Sequence, residues 1–140
     1  MVHGILLPVD GSKYMERNVG YACDLARKLG SELTMIHVVT LPSPSLVEPE
    51  AIDLAPLEQA GLNVLEKAKE IAESKGAAVR TKLETTQGNP AQRILEVAES
   101  GRYDLITLGA KGHSLIRNLT VGSVCDTVVR NAPCPVLVIH

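Results

Sequence analysis

The chain has few aromatic residues and no excess of positive charge. Its 140 residues include no tryptophan, no phenylalanine and only three tyrosines. Proteins that bind single-stranded nucleic acids stack the bases on aromatic side chains, so this composition argues against that function. The 14 Lys and Arg residues are balanced by 16 Asp and Glu, which gives a formal net charge of −2. A surface that binds duplex DNA or RNA is therefore not expected either.

Cysteines are few, and long apolar runs are absent. The three cysteines are an odd number without a Cys-x-x-Cys pair, so they predict small core residues in a reducing cytosol rather than disulfides or a metal site. The four histidines show no ligand spacing. No run approaches the roughly twenty apolar residues of a membrane span, and no basic segment precedes the first apolar run. We expect a cytoplasmic protein with a single domain over residues 1–140.

Strand-like and helix-like segments alternate along the chain. Apolar runs predict buried strands, while residues 78–85 alternate in polarity and predict an edge strand. Asn89 and Pro90 are typical of a helix start. Parallel strands with helices on both faces give this pattern, so we predict a doubly wound, three-layer α/β/α sandwich. The other predicted strands are 4–9, 32–39, 103–109 and 134–140, and the helices start near Lys13, Leu57, Pro90 and Ser123.

Residues 41–56 interrupt this alternation. The segment reads LPSPSLVEPEAIDLAP and contains four prolines among Ser and Glu. Proline at this density is not tolerated in a helix or in a central strand. A long surface loop is predicted, which serves either as a lid or as an interaction surface.

The glycine-rich stretch LGAKGHSLIRNLTVGSVCDTVV, residues 108–129, follows the fourth predicted strand. Ligands of doubly wound sheets bind at the carboxyl ends of the strands, where such connections lie. No Asp or Glu occurs between Leu105 and Cys125, whereas Lys111 and Arg117 do. The stretch is neither a Walker A loop nor a G-x-G-x-x-G fingerprint. Its glycines nevertheless make it the best candidate for a ligand-binding connection.

The end of this stretch predicts a helix start that can hold an anion. Ser123 and Asp126 have the Ser-x-x-acid form of a capping box, which puts Gly122 and Ser123 at the amino end of the helix. Free N–H groups and the helix dipole attract phosphate there, and glycine lets it approach the backbone. Asp126 would repel phosphate unless it caps inward or helps to hold Mg²⁺. A structural role also stays open, with Gly109 and Gly112 in a tight turn and Gly122 starting a helix.

The sequence resembles the ATP-binding branch of the universal stress protein family. The motif Gly-Ala-Lys-Gly, nine residues, then Gly-Ser carries the likeness, and four further segments occur in the family's order: ILLPVDGS, MIHVV, QGNPAQRI and NAPCPVLVIH. The resemblance covers the whole chain. It implies a five-stranded parallel sheet in the order 3-2-1-4-5, with a nucleotide site between the first and fourth strands.

The resemblance also assigns residues to a nucleotide site. Asp10 is expected near the ribose or a metal-linked phosphate and is the candidate Mg²⁺ ligand, although from sequence it can equally cap the first helix. Val38 is expected to meet adenine through its backbone. Pro8 and Val9 would line the adenosine side with Asp10; Gly109, Ala110, Gly112 and His113 would border the ribose and phosphates; Gly122, Ser123 and Val124 would hold the phosphates.

The sequence supports two candidate functions. The first is a cytoplasmic protein that binds ATP, ADP or AMP, with Mg²⁺, and acts as a stress-response or signalling switch. The second is a slow ATP-hydrolysing enzyme, which is less favoured because no group that would orient water is recognised. The resemblance further implies a homodimer through the strand at 135–140, besides an unknown protein partner.

Overall fold

The computed structural model describes residues 2–42, 53–112 and 122–140. Strands and helices alternate along these residues, as the sequence predicts. No helix among them is long and apolar enough to cross a membrane. The strands are β1 (Gly4–Pro8), β2 (Glu32–Thr40), β3 (Val79–Thr86), β4 (Leu105–Gly109) and β5 (Val136–Ile139), and the helices are α1 (Met15–Leu29), α2 (Ala55–Ser74), α3 (Pro90–Ser100) and α4 (Ser123–Asn131).

The five strands form one parallel sheet in the order β3-β2-β1-β4-β5. The central strand β1 pairs with β2 from Gly4 opposite Glu32 to Pro8 opposite Ile36. On its other side β1 pairs with β4, where Ile5 lies opposite Leu105. The predicted doubly wound α/β sheet is confirmed. The strand order reverses between β1 and β4, so their carboxyl ends flank the crevice in which such sheets bind ligands.

Each face of the sheet packs against its own hydrophobic core. Ile5 and Leu7 of β1 point to the face covered by α1 and α2, whereas Leu6 points to the face covered by α3 and α4. Alternate side chains of a strand point to opposite faces. Because both faces are covered, Ile5, Leu6 and Leu7 in the middle of β1 are fully buried, which explains its continuously apolar sequence.

Two helix starts show how local chemistry sets the element bounds. The Asn89 side chain accepts a hydrogen bond from the Ala91 N–H at 2.9 Å, so the predicted cap of α3 is confirmed. The loop predicted over 41–56 is too long, because α2 begins at Ala55 and includes Pro56 in its first turn. Proline is tolerated there because the N–H that it lacks has no helical partner. Residues 43–52 of that loop lie outside the described residues.

The two edges of the sheet differ in character. The edge strand β3 carries Arg80, Lys82 and Glu84, which agrees with the predicted edge position of residues 78–85. The opposite edge, β5, reads Val-Leu-Val-Ile, and Leu137 in its middle is 42% exposed. Charged side chains protect an edge from pairing with another chain, so β3 is protected and β5 is not.

Candidate functional site

A cleft of about 340 Å³ opens at the carboxyl ends of β1, β2 and β4. Its size lies within the range of roughly 300–1,000 Å³ that is usual for small-molecule sites. The predicted residue His113 lies outside the described part of the chain. All the other predicted site residues line this one cleft: Pro8, Val9, Asp10, Val38, Gly109, Ala110, Gly112, Gly122, Ser123 and Val124.

The Asp10 carboxylate is held by the turn that follows β1. Its Oδ1 accepts a hydrogen bond from the Ser12 N–H at 2.9 Å, and Gly11 between them has a φ of 75°, in the left-handed region that favours glycine. Helix α1 begins at Met15 with Tyr14 as its N-cap and without a side-chain cap. The interpretation in which Asp10 caps α1 is therefore wrong. The turn instead orients this carboxylate at the edge of the cleft.

Two of the predicted glycines allow close approach around Asp10. A Cβ atom added to Gly112 would overlap Oδ2 of Asp10. A Cβ atom added to Gly109 would overlap Nδ2 of Asn18 and lie 3.2 Å from the carbonyl oxygen of Lys111. The end of β4 and the loop after it thus contact the turn after β1 and the first turn of α1, and a side chain at either glycine would require Asp10 or Asn18 to shift.

The backbone of Val38 faces the cleft. The carbonyl of Ile36 accepts a hydrogen bond from the Val9 N–H at 2.8 Å, whereas the N–H of Leu41 bonds to Thr86 of β3 at 2.7 Å. Even-numbered residues of this part of β2 therefore turn their peptide groups toward β1, and odd-numbered ones toward β3. Because β1 ends at Pro8, the N–H and C=O of Val38 point past its end into the cleft.

The amino end of α4 forms the opposite wall, but the predicted capping box is wrong. Gly122 is the N-cap and Ser123 is the first helical residue, without a side-chain cap. Because Ser123 lies inside the helix, it does not occupy the capping position that the motif requires, and the Asp126 carboxylate accepts hydrogen bonds from Arg130 Nε at 3.0 and 3.1 Å, one helical turn away. Asp126 is not among the residues that line the cleft, so its charge does not oppose an anion there at close range.

The first amides of α4 are available to a ligand. The Gly122 N–H is already bonded to the carbonyl of Ala110 at 2.6 Å, which fastens the helix start to the loop after β4. The N–H groups of Ser123, Val124 and Cys125 find no acceptor within the described ranges. Such amides, together with the helix dipole, form an anion-binding end.

Several residues that line the cleft carry no motif in the sequence and were not predicted. Most of the cleft's apolar wall belongs to the core on the α3 and α4 face of the sheet. His37 lies at the rim, where its Nδ1 donates a hydrogen bond to the Val9 carbonyl at 2.7 Å. Asn18 of α1 and Lys111 after β4 are the other polar residues that line the cleft, and Asn18 is 7% exposed. A polar residue at helical spacing from Met15 and Ala22, both apolar, was the available signal. The unpredicted apolar or thiol members are Ile36, Pro90, Ile94, Leu108 and Cys125.

The cysteines do not add reactive chemistry. Burial raises the pKa of the Cys125 thiol, and the nearby charge of Asp126 raises it further. Burial likewise raises the pKa of Cys23. A buried protonated thiol is neither a good nucleophile nor a metal ligand. Cys23 and Cys125 are buried core residues, as predicted, whereas Cys134 is only half-buried and packs against the α3 and α4 core. The described residues contain no cluster of three or more His, Cys, Asp or Glu that could hold a metal.

Comparison with known proteins decides the family. Residues 1–140 match the sequence profile of the universal stress protein family. The chain belongs to this family. A universal stress protein of Methanocaldococcus jannaschii is 34% identical over 138 residues, which cover 96% of this chain and 80% of the relative. The universal stress protein YxiE of Bacillus subtilis is 32% identical, with both chains covered in full.

The fold of the family agrees with the structure described above. A universal stress protein from Archaeoglobus fulgidus, solved in complex with dAMP, superposes with a TM-score of 0.74 at 25% identity and full coverage of both chains. The family therefore includes a member of the same fold whose structure contains an adenine nucleotide.

Proposed function

We propose that this universal stress protein binds ATP, ADP or AMP in the cleft and acts in the cytoplasm as a stress-response or signalling switch. One observation supports the proposal most strongly: a peptide group, a carboxylate and a row of helix amides lie side by side along the cleft, in the same order as the base, sugar and phosphates of a nucleotide. The peptide of Val38 lies on β2, the Asp10 carboxylate follows β1, and the amides of α4 follow β4. These strands are neighbours in the sheet, so the groups follow one another across it.

Each group matches one part of the ligand. The Val38 N–H and C=O would pair with adenine, whose Watson–Crick edge presents an acceptor beside an amino group. The apolar side chains of Ile94 and Leu108 would cover the base. Asp10 would accept from a ribose hydroxyl or bind Mg²⁺, which is usually held by one or two carboxylates together with phosphates. Ser123 and Val124 would bind phosphate through their N–H groups.

Support also comes from the Archaeoglobus relative, whose complex contains dAMP. An adenine base with a 5′-phosphate is the part that dAMP shares with ATP, ADP and AMP. The sugar and the number of phosphates are separate questions for this chain. Mass spectrometry of whatever nucleotide co-purifies with the protein would identify the phosphate state directly.

Selectivity for adenine over guanine tests the base assignment. Guanine reverses the donor and acceptor order, so its edge would place acceptor against acceptor and donor against donor at Val38. We expect the protein to bind ATP at least about tenfold more tightly than GTP, because the Val38 N–H and C=O would both lose their hydrogen-bond partners. Isothermal titration calorimetry with both nucleotides measures this ratio. Equal affinities would show that Val38 does not select the base, and no heat with either nucleotide would contradict the proposed function.

We also propose that two copies pair through β5. The strand carries no charge, lies at the edge of the sheet and leaves Leu137 partly exposed. Antiparallel pairing of two β5 strands about a two-fold axis would satisfy the open edge and cover Leu137. The charged edge at β3 would not pair in this way.

Leu137→Lys is expected to convert a dimer into a monomer, because it places a charge in the centre of the apolar edge. Val138 is a poorer position for this test because it packs against the core below α3 and α4. Thr81→Lys is the matched control, since it adds the same charge to exposed Thr81 of the opposite edge strand. Light scattering at micromolar concentration measures the mass of each variant. A monomeric parent, or a dimer that survives Leu137→Lys, would contradict the assignment.

A further inference from the structure

A second hollow, with a volume of about 670 Å³, lies at the amino ends of β1, β2 and β3, on the edge of the sheet opposite the cleft. Val79 and Leu83 of β3 pack toward α1 and α2, so the side chains of Arg80 and Lys82 between them point to the other face. There they line one side of the hollow, and Arg102 in the loop from α3 to β4 lines the other. Three cationic residues therefore border one open space.

Two acidic residues also line the hollow, and each is already engaged. Glu32 contacts Arg80 at 3.6 Å, but both side chains are largely exposed, and such surface pairs contribute little. The Oδ2 atom of Asp104 accepts hydrogen bonds from the N–H groups of Gly4 at 2.9 Å and His3 at 2.7 Å. These bonds lower the pKa of the Asp104 carboxyl, so its charge is stabilised by the main chain.

The other two cations have no acidic partner inside the hollow. Arg102 forms no ion pair with any residue in the described ranges. Lys82 pairs with Glu84 at 3.9 Å, but this carboxylate does not line the hollow and lies closer to Arg93, at 3.3 Å. Lys82 and Arg102 can therefore both contact an acidic group that enters the hollow.

The backbone of Arg102 is strained. Its φ is 55°, in the left-handed region, which no other non-glycine residue in the described part of the chain adopts. The position follows the end of α3, where the N–H groups of Arg102 and Tyr103 bond to the carbonyls of Glu99 and Ala98, both at 3.1 Å. Glycine is the usual residue there, because it adopts this conformation without strain. Strain of this kind is frequent at functional sites and points to a role for the Arg102 side chain.

The open edge of β3 adjoins the hollow. The Leu41 N–H bonds to the Thr86 carbonyl at 2.7 Å, so even-numbered residues of β3 turn their peptide groups toward β2. Odd-numbered residues, such as Thr81 and Leu83, turn theirs outward, where no strand of the described chain pairs with them. A segment added to this edge would present every second side chain on the face of the two β3 cations, at the same spacing.

We propose that the hollow and the edge of β3 together bind an extended acidic segment of a partner protein. The segment would add to the sheet as a sixth strand, and its alternate Asp or Glu side chains would meet Arg80, Lys82 and Arg102. The positive charges that keep β3 from pairing with a copy of itself would favour a strand of the opposite charge. This site lies at the opposite edge from the cleft, so it does not depend on the proposed nucleotide.

The test titrates a peptide into the isotope-labelled full chain and follows backbone amides by NMR. The probe is an eight-residue peptide in which Glu alternates with Thr, compared with the same peptide carrying Gln in place of Glu. We expect the acidic peptide to bind at least about tenfold more tightly, because several opposite-charge pairs act together. Hydrogen exchange at the Thr81 and Leu83 N–H groups should slow in the complex, because a sixth strand would supply their acceptors.

Arg102→Gly separates a binding role from a structural one. Glycine adopts the left-handed conformation without strain, so the variant should melt at about the temperature of the parent. Its preference for the acidic peptide should nevertheless fall at least about threefold, and Lys82→Gln should lower it similarly. Lys69→Gln is the matched control, because it removes a charge from an exposed lysine of α2 that does not line the hollow. This control should keep the preference of the parent.

Several outcomes would overturn the inference. Equal binding of the acidic and neutral peptides is one, and a preference that persists in both Arg102→Gly and Lys82→Gln is another. A preference that Lys69→Gln lowers equally would trace the effect to the net charge of the chain. Shifts confined to the cleft would place the acidic group at α4. If inorganic phosphate alone produced the same shifts, the hollow would be a small-anion site and the added strand would be wrong. Nucleotide binding in the cleft would stand in each case.

Discussion

Replacing Gly112 with alanine is expected to weaken ATP binding about thirtyfold, which corresponds to the loss of one charge-assisted hydrogen bond of about 2 kcal/mol. The added Cβ atom would overlap Oδ2 of Asp10, so either this carboxylate or the loop after β4 must move. Both line the cleft, and they follow β1 and β4, next to the groups assigned to the base and to the phosphates. Calorimetric titration with ATP and Mg²⁺ measures the loss.

Gly88→Ala is the control for this substitution. Gly88 also follows a strand at the carboxyl edge of the sheet, but a Cβ atom there would only touch Thr86 Oγ1 at an ordinary 3.8 Å. The control should bind ATP like the parent. Asp10→Asn should resemble Gly112→Ala if the glycine acts through Asp10. Unchanged affinity in Gly112→Ala would mean that the nucleotide does not depend on this contact.

The fold could be predicted from the sequence because burial on both faces leaves a distinct pattern. Strands such as β1 and β4 are short apolar runs without alternation, and each is joined to the next strand by an amphipathic helix. The helix start at Asn89 and Pro90 was equally predictable, because the cap joins residues that are neighbours in the sequence. The start of α2 was not, since proline marks both a loop and the first turn of a helix.

The candidate site was predictable only where a motif marked it. Gly109, Gly112 and Gly122 lie on one cleft as their spacing indicated, but the reason became visible only in three dimensions. The first two permit contact with Asn18 and Asp10, whose side chains come from distant parts of the sequence. The predicted capping box was wrong because Gly122, not Ser123, is the N-cap of α4, and Asp126 bonds to Arg130 instead. Whether these residues bind a nucleotide stays a prediction.

Hydrolysis of ATP is expected to be slow, below about 0.01 per second, against roughly 1–10³ per second for typical enzymes. The described part of the cleft contains few groups that could transfer a proton. Each of them is either hydrogen-bonded to the protein or held in an unreactive protonation state. The Asp10 carboxylate accepts a hydrogen bond from the Ser12 N–H, and His37 donates one to the Val9 carbonyl. Burial raises the pKa of the Cys125 thiol and keeps it protonated. Rapid phosphoryl transfer needs a group that orients water and a cation that stabilises the transferred charge. Lys111 lines the cleft and can supply the positive charge, so the expected limit is the group that orients water. Phosphate release by purified protein with Mg²⁺ measures the rate.

Four variants make this assay decisive. Asp10→Asn removes the candidate Mg²⁺ ligand and Gly112→Ala disturbs it, while His113→Ala and Arg117→Ala remove groups outside the described residues that could act on phosphate. Fast release that is abolished by Asp10→Asn or His113→Ala would identify an enzyme and contradict the switch. Trace release that persists in all four variants would come from a contaminating ATPase. Slow release that falls together with ATP binding in Gly112→Ala would mean that nucleotide occupancy is the signal and that hydrolysis only limits how long it lasts.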